Sequence, residues 1–238
     1  MNWDNYLLEE KAPYGAIAHL GVLEGNVSGI YDLSKVDNDT RVLSLSTPLK
    51  KFKKAYTNFS SLIVNEKIEA IYVNDIDKER ISVFSALPNL KYLQISSNKQ
   101  DEIPNLDSLN SVEVLILANV TKIQNLDFLK NMKNLKTLYI YGMNNLYDLT
   151  PISTLINLKE LDIEHGKMNG TGKAVKSISP LKSLTQLKYL RLAVKIEDES
   201  VDLKSLYGLK NLQKITILPR YLKTEKWKSL INELPLIK

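Results

Sequence analysis

The sequence predicts an α/β solenoid in which a short strand and a short return segment repeat along the chain. Two observations support this prediction. First, seven copies of the pattern apolar-x-x-apolar-x-apolar align between residues 68 and 217, and their alternating part has the period of two that is typical of a strand. Second, the central anchors of the copies recur every 22 to 29 residues. These anchors are Ile71, Leu93, Leu115, Leu138, Leu161, Leu190 and Ile215.

The second half of each copy has a different period. In Ile123-x-x-Leu126-x-x-Leu129-x-x-Met132, every third residue is apolar. This spacing favours a 3-10 turn or a short helix with one buried edge. One strand with one return segment is too small to bury its apolar side alone, so successive copies must stack around a continuous core.

The repeats resemble those of a known family. Segments 89–93, 134–138 and 157–161 share the sequence Asn-Leu-Lys-x-Leu, and segment 149–152 reads Leu-Thr-Pro-Ile. They resemble bacterial leucine-rich repeats of the internalin type, over roughly residues 66 to 220. The resemblance implies a right-handed horseshoe with a concave parallel β-sheet, short 3-10 or helical segments on the convex side, and protein binding on the concave face. The sequence departs from the family after the strand, where only Asn98 occupies the usual asparagine position.

The repeats divide the chain into three predicted parts. Residues 40–221 form the repeat array, whose first turn is degenerate. Residues 1–39 do not match the repeat and are apolar enough to form an N-terminal cap that packs on the first turn. Residues 222–238 carry apolar residues at helical spacing after Thr224, and we predict a helical C-terminal cap.

Composition argues against several functions. The chain has no cysteine, which excludes disulfides, thiolate metal sites and a cysteine nucleophile. The net charge of +5 comes from 32 basic and 27 acidic side chains spread along the chain, whereas a nucleic-acid binder typically concentrates a basic stripe. Glycine-rich phosphate loops, G-x-S-x-G elbows and H-E-x-x-H pairs are absent. We therefore predict no enzymatic activity, no catalytic residues and no cofactor.

The sequence also predicts a location. No stretch approaches eighteen consecutive apolar residues, and the first residues lack the basic and long apolar regions of a secretion signal. These features predict a cytoplasmic protein that does not enter a membrane. The lack of cysteine favours an intracellular or bacterial setting.

Alternation along each strand predicts which side chains point outwards from the concave sheet. The second to fourth turns present an aromatic and aliphatic patch, and the fifth and sixth turns present an acidic row with an arginine. We predict that a partner protein places an apolar or aromatic group on the patch and a basic group on the acidic row. The predicted contact residues are Tyr72, Tyr92, Ile116, Tyr139, Tyr141, Glu160, Asp162, Glu164, Tyr189 and Arg191.

Two other groups of residues have simpler interpretations. Asp162, Glu164 and His165 could form an oxygen-rich metal corner, but such groups arise readily by chance and we predict no metal site. Four lysines lie between residues 50 and 54 on a predicted amphipathic helix that begins after Thr47 and Pro48. Its apolar stripe is Phe52, Tyr56, Phe59 and Ile63, which have helical spacing. A solvated lysine face is the simpler interpretation of this helix, and weak nucleic-acid binding is the alternative.

The leading functional prediction is a protein-protein interaction scaffold, of an immunity or adaptor type. The alternative within the same fold is an exported surface or virulence protein similar to internalins. The sequence names neither the partner nor the oligomeric state.

Overall fold

The computed structural model of the protein describes residues 1–9, 23–165, 172–197 and 203–237. Within these ranges nine strands form one sheet, in which each strand pairs in parallel with the next in sequence. Every connection must therefore return to the start of the next strand along the sheet. The strands are β1 (Asn26–Ser28), β2 (Val42–Leu45), β3 (Ala70–Val73), β4 (Tyr92–Ser96), β5 (Val114–Ala118), β6 (Thr137–Tyr141), β7 (Glu160–Glu164), β8 (Tyr189–Ala193) and β9 (Lys214–Ile217).

The return segments are mostly single turns of 3-10 helix, in agreement with their apolar period of three. A longer helix, α1 (Lys78–Ser85), follows β3 because Asp77 caps it by accepting a 2.8 Å hydrogen bond from the backbone N–H of Arg80. After β9 come α2 (Pro219–Leu222) and α3 (Glu225–Glu233). The 3-10 turns are Leu33–Lys35, Lys50–Phe52, Phe59–Val64, Asp127–Leu129, Thr150–Thr154, Ser179–Ser183 and Leu203–Leu206.

The two faces of the sheet have separate apolar clusters. Leu138 and Ile140 of β6 point into the main core, which also contains return-segment residues such as Leu129 and Met132. Tyr139, between them in sequence, belongs to a second cluster on the opposite face. This alternation follows from the period of two along a strand. We call the face opposite the main core the concave face. The single parallel sheet with return segments packed on its other face confirms the predicted horseshoe solenoid.

Asparagine side chains connect successive turns just before four of the strands, and we call this set the asparagine ladder. The asparagine of the Asn-Leu motif donates its side-chain N–H to a backbone carbonyl 23 to 26 residues earlier, at 2.8 to 2.9 Å. These bonds satisfy carbonyl groups at the ends of the preceding return segments. Asn98, at the usual family position, is buried and bonds the carbonyl of Asn74 at 2.8 Å. The donors of the ladder are Asn89, Asn134, Asn157 and Asn211.

Removing one ladder asparagine is expected to weaken the contact between two turns. We expect Asn157→Ala to lower the free energy of unfolding by about 1 kcal/mol, because the carbonyl of Lys133 loses its donor. Urea denaturation followed by circular dichroism measures this change. Asn38→Ala, at an exposed position outside the ladder, is the matched control and should change stability little. Equal effects of the two substitutions would contradict a structural role for the ladder.

The predicted amphipathic helix over the lysine-rich segment is wrong. Residues 50–54 contain a single 3-10 turn, which Lys53 ends by adopting a left-handed backbone conformation with φ of 47°. Phe52 was expected on the buried stripe of that helix but is 54% exposed, whereas Phe59 is buried. The nucleic-acid alternative therefore loses the helix on which it was based.

The described part of the predicted N-terminal cap has two different environments. Strand β1 lies before residue 40 and pairs with β2 as a further strand of the sheet. Residues 1–9 lie on the concave face, in an apolar cluster that includes Val42 of β2, and residues 10–22 lie outside the described ranges. At the other end, α3 buries Leu230 in the main core. The division into two caps and an array stays a prediction.

Candidate functional site

The concave face carries side chains in three lateral rows, because the strands pair in register. Each row crosses β4 to β8, so that residues far apart in sequence become neighbours. The first row is Tyr92, Val114, Thr137, Glu160 and Tyr189; the second is Gln94, Ile116, Tyr139, Asp162 and Arg191; the third is Ser96, Ala118, Tyr141, Glu164 and Ala193.

The β4 to β6 half of this face is aromatic and aliphatic. Tyr92, Ile116 and Tyr139 are each at most 2% exposed. The rings of Tyr139 and Tyr141 meet edge to face with centroids 6.4 Å apart. Aromatic pairs in this arrangement are favourable beyond their buried area, so this half is an ordered apolar layer.

The β7 and β8 half is a cluster of buried charges. Arg191 Nη1 lies 2.9 Å from Glu164 Oε2 and 3.5 Å from Asp162 Oδ2. The hydroxyl of Tyr139 donates to Glu164, and the hydroxyl of Tyr189 lies 3.4 Å from Asp162 Oδ2. Tyr139 of the apolar half is therefore hydrogen-bonded to a carboxylate of the charged half, which makes the two halves one continuous surface.

Burial changes the acid-base properties of this cluster. It raises the pKa of Asp162 well above its usual range, and the nearby charge of Glu164 adds to this effect. Burial also lowers the pKa of Arg191 to about 10. The pKa of the Tyr139 hydroxyl is raised strongly by burial and then by the charge of Asp162. Each shift disfavours the charged form, so this cluster is maintained at a cost to stability.

Residues 1–9, which we call the N-terminal segment, lie across the first row. Trp3, Tyr6 and Leu7 are buried there, and the ring of Trp3 lies 5.3 Å from that of Tyr92. The backbone N–H groups of Leu7 and Leu8 donate to Glu160 Oε1 at 3.0 and 2.8 Å. The chain therefore covers part of its own concave face.

His165 lies directly after β7, beside the acidic row. Its imidazole is buried, and burial followed by the charge of Lys195 lowers its pKa, which favours the neutral ring. Gly172 packs so closely on this ring that an added Cβ would lie 1.5 Å from Nδ1. Among the described residues no group of three or more histidine, aspartate or glutamate side chains is placed to hold a metal ion.

Comparison with solved structures identifies the fold. The chain is similar to an internalin, InlF, from Listeria monocytogenes strain 4b F2365, with 21% identity, a TM-score of 0.50, and coverage of 84% of this chain and 66% of the internalin. It is also similar to TLR13 in the TLR13–ssRNA13 complex, with 17% identity, a TM-score of 0.55, and coverage of 84% of this chain and 28% of that one.

The fold is that of a leucine-rich-repeat protein. No family profile matches the sequence, and no curated protein is similar to it. This chain spans just under two thirds of the length of the internalin and less than a third of the TLR13 chain.

The leucine-rich-repeat geometry brings all ten predicted contact residues onto the concave face. Their exposure differs from the prediction, because eight of them are 8% exposed or less and only Tyr72 and Tyr141 are half-buried. Part of the reason is the N-terminal segment, which lies on Tyr92 and Glu160. Contacts among the ten residues also contribute, since the Tyr139 hydroxyl bonds Glu164 and Arg191 pairs with Glu164 and Asp162.

The sequence analysis did not place the N-terminal segment on the concave face. The sequence does mark this segment as an apolar element, because Trp3, Tyr6 and Leu7 follow helical spacing outside the repeat array. Where these side chains lie could not be predicted, because their contacts with Tyr92 and Glu160, 86 to 153 residues away, depend on how the leucine-rich repeats stack. Among the described residues, no helix is long and apolar enough to cross a membrane.

Proposed function

We propose that the concave face of this leucine-rich-repeat protein binds a partner protein. One observation carries the proposal: the sheet face away from the main core has a continuous apolar layer, where a face turned only to water would be polar. The described members of this layer on the sheet are Val42, Ala70, Tyr92, Val114, Ile116, Ala118, Tyr139 and Tyr189. Tyrosine and arginine side chains are those that most often anchor protein interfaces.

The buried charges support a basic or hydrogen-bond-donating partner. Three carboxylates, Glu160, Asp162 and Glu164, lie in one strand with Arg191 as the neighbouring cation. This acidic surplus favours donors and repels phosphate, so the concave face is a poor surface for nucleic acid. Proteins of this fold are typically binding scaffolds, and an immunity or adaptor role is the biological setting that we propose.

An affinity capture from the native cell tests the proposed face. We expect wild-type protein to retain one specific partner and the Tyr72→Ala/Tyr141→Ala variant to lose it, because both side chains are partly exposed on the concave face. Tyr207→Ala is the matched control, since Tyr207 is a partly buried tyrosine next to the main core. Circular dichroism establishes that the variants are folded. Retention of the partner by a folded Tyr72/Tyr141 variant would place the binding surface elsewhere.

A genomic observation separates the two settings of this function. A neighbouring toxin gene would favour the immunity role, and an upstream export signal would favour an exported, internalin-like protein. Both settings use the same concave face, so the capture experiment applies to either.

A further inference from the structure

The N-terminal segment is held on the concave face by three apolar side chains. Trp3 and Tyr6 place their rings 5.3 and 5.8 Å from the ring of Tyr92, and the two rings lie 6.1 Å from each other. Leu7 is also buried in this layer. The three residues have the i, i+3, i+4 spacing of one helical face, which is how amphipathic helices present their anchors to a groove.

A buried carboxylate fixes the backbone of the segment. Glu160 is 1% exposed, and its Oε1 accepts from the N–H groups of Leu7 and Leu8 while its Oε2 accepts from the hydroxyl of Thr137 at 2.6 Å. Two of these three donors come from the N-terminal segment. A buried carboxylate without donors is unfavourable, so the site under the segment requires an occupant that supplies N–H groups.

The apolar contacts that hold the N-terminal segment are not part of the main core that holds the solenoid together. Trp3, Tyr6 and Leu7 belong to the concave cluster and not to the main core between the sheet and the return segments. The segment makes a turn and adds no strand to the sheet, and an ion pair between Asp4 and Lys136 at 3.3 Å lies at its edge. A terminal segment outside the main core opens at a lower free energy than the repeats unfold.

We propose that the concave face recognises a short helical turn of a partner protein that carries aromatic or leucine side chains at i, i+3 and i+4 and offers free N–H groups to Glu160. The N-terminal segment occupies this site within the chain and competes with the partner. The inference rests on the proposed function, because it specifies the kind of partner. Occupation of the site by the N-terminal segment also explains why Tyr92 and Glu160 are buried although they point away from the main core.

A peptide with the sequence of residues 1–9 is the probe for this site. We expect the Trp3→Ala/Tyr6→Ala variant of the 238-residue chain to bind the fluorescently labelled peptide at least tenfold more tightly than wild type, because its own segment competes poorly. Fluorescence anisotropy measures the affinity. A scrambled peptide should not bind, and Glu160→Gln in the same variant should weaken binding. Equal affinity of wild type and variant, or no binding to a folded variant up to about 1 mM peptide, overturns the proposal.

A covalent tether provides a second measurement, and the absence of native cysteine makes it selective. Asp4→Cys and Lys136→Cys joined by a short bis-maleimide hold the segment closed, and this should abolish capture of the partner. The same variant without the reagent should capture it. The control tether joins Lys210→Cys and Glu233→Cys, whose native side chains form an ion pair at 3.1 Å between the last return segment and α3, and it should have no effect.

The two experiments separate the inference from the proposed function. Peptide binding does not require the natural partner, so it tests the site even if no partner is captured. Capture that persists in the Asp4–Lys136 tethered protein overturns competition by the segment, whereas loss of capture in the Tyr72→Ala/Tyr141→Ala variant still supports the concave face.

Discussion

Leu138→Ala is expected to lower the free energy of unfolding by about 3 to 5 kcal/mol, a large part of the stability of a domain of this size. Leu138 is the central anchor of β6 and is fully buried in the main core. Each repeat depends on its neighbours for burial, so a cavity in the middle of the array weakens the contacts of the flanking turns as well. Urea denaturation followed by circular dichroism measures the loss.

The matched control for this prediction is Leu49→Ala. Leu49 is 61% exposed, so removal of its side chain should change stability by less than about 0.5 kcal/mol. A loss below about 1 kcal/mol for Leu138→Ala would mean that the central anchors do not form the core.

Asp162→Asn is expected to stabilise the protein at pH 7, because it replaces a carboxyl group whose charged form burial and the neighbouring Glu164 both disfavour. The pKa of Asp162 is raised in the folded state, so the fold binds its proton more tightly than the unfolded chain does. Protonated Asp162 makes its full contribution to stability at pH values below the ordinary pKa of an aspartate. This contribution is lost as the pH rises through the raised pKa of the folded state. The difference between variant and wild type should therefore shrink as the pH falls towards 4.

Thermal unfolding between pH 4 and pH 8 checks the sign of this effect. Asp39→Asn is the control, since it makes the same substitution at an exposed position. A lower melting temperature for Asp162→Asn at pH 7 would show that the carboxylate is stabilised by Arg191 more than it is destabilised by burial. A stabilised variant that binds the partner poorly would identify Asp162 as a residue kept for binding at a cost to stability.

The repeat itself was determined by the sequence. Anchors such as Leu93, Leu138 and Leu161 lie at a near-constant spacing, and their period of two within the strand decides which side chains enter the main core. Because these interactions are local or between adjacent repeats, they can be recognised without tertiary information. The positions of the ten predicted contact residues on one face follow from the same alternation.

Local backbone chemistry was harder to predict where two patterns competed. The apolar spacing after Pro48 predicted a helix, but Lys53 and Asn58 take left-handed conformations and divide the segment into separate 3-10 turns. The ladder asparagines were recognised as part of the Asn-Leu motif, yet their partner is a carbonyl of the preceding repeat. Such a bond depends on how the turns stack.

Tertiary structure alone decided what lies on the concave face. The sequence by itself determined a leucine-rich-repeat solenoid with an aromatic and acidic surface, since alternation needs only neighbouring residues. It did not determine that Trp3 and Leu7 cover this surface. Nor did it determine that the backbone N–H groups of Leu7 and Leu8 donate to Glu160, because these contacts span about 150 residues. Only the stacking of the repeats creates the site that the segment occupies.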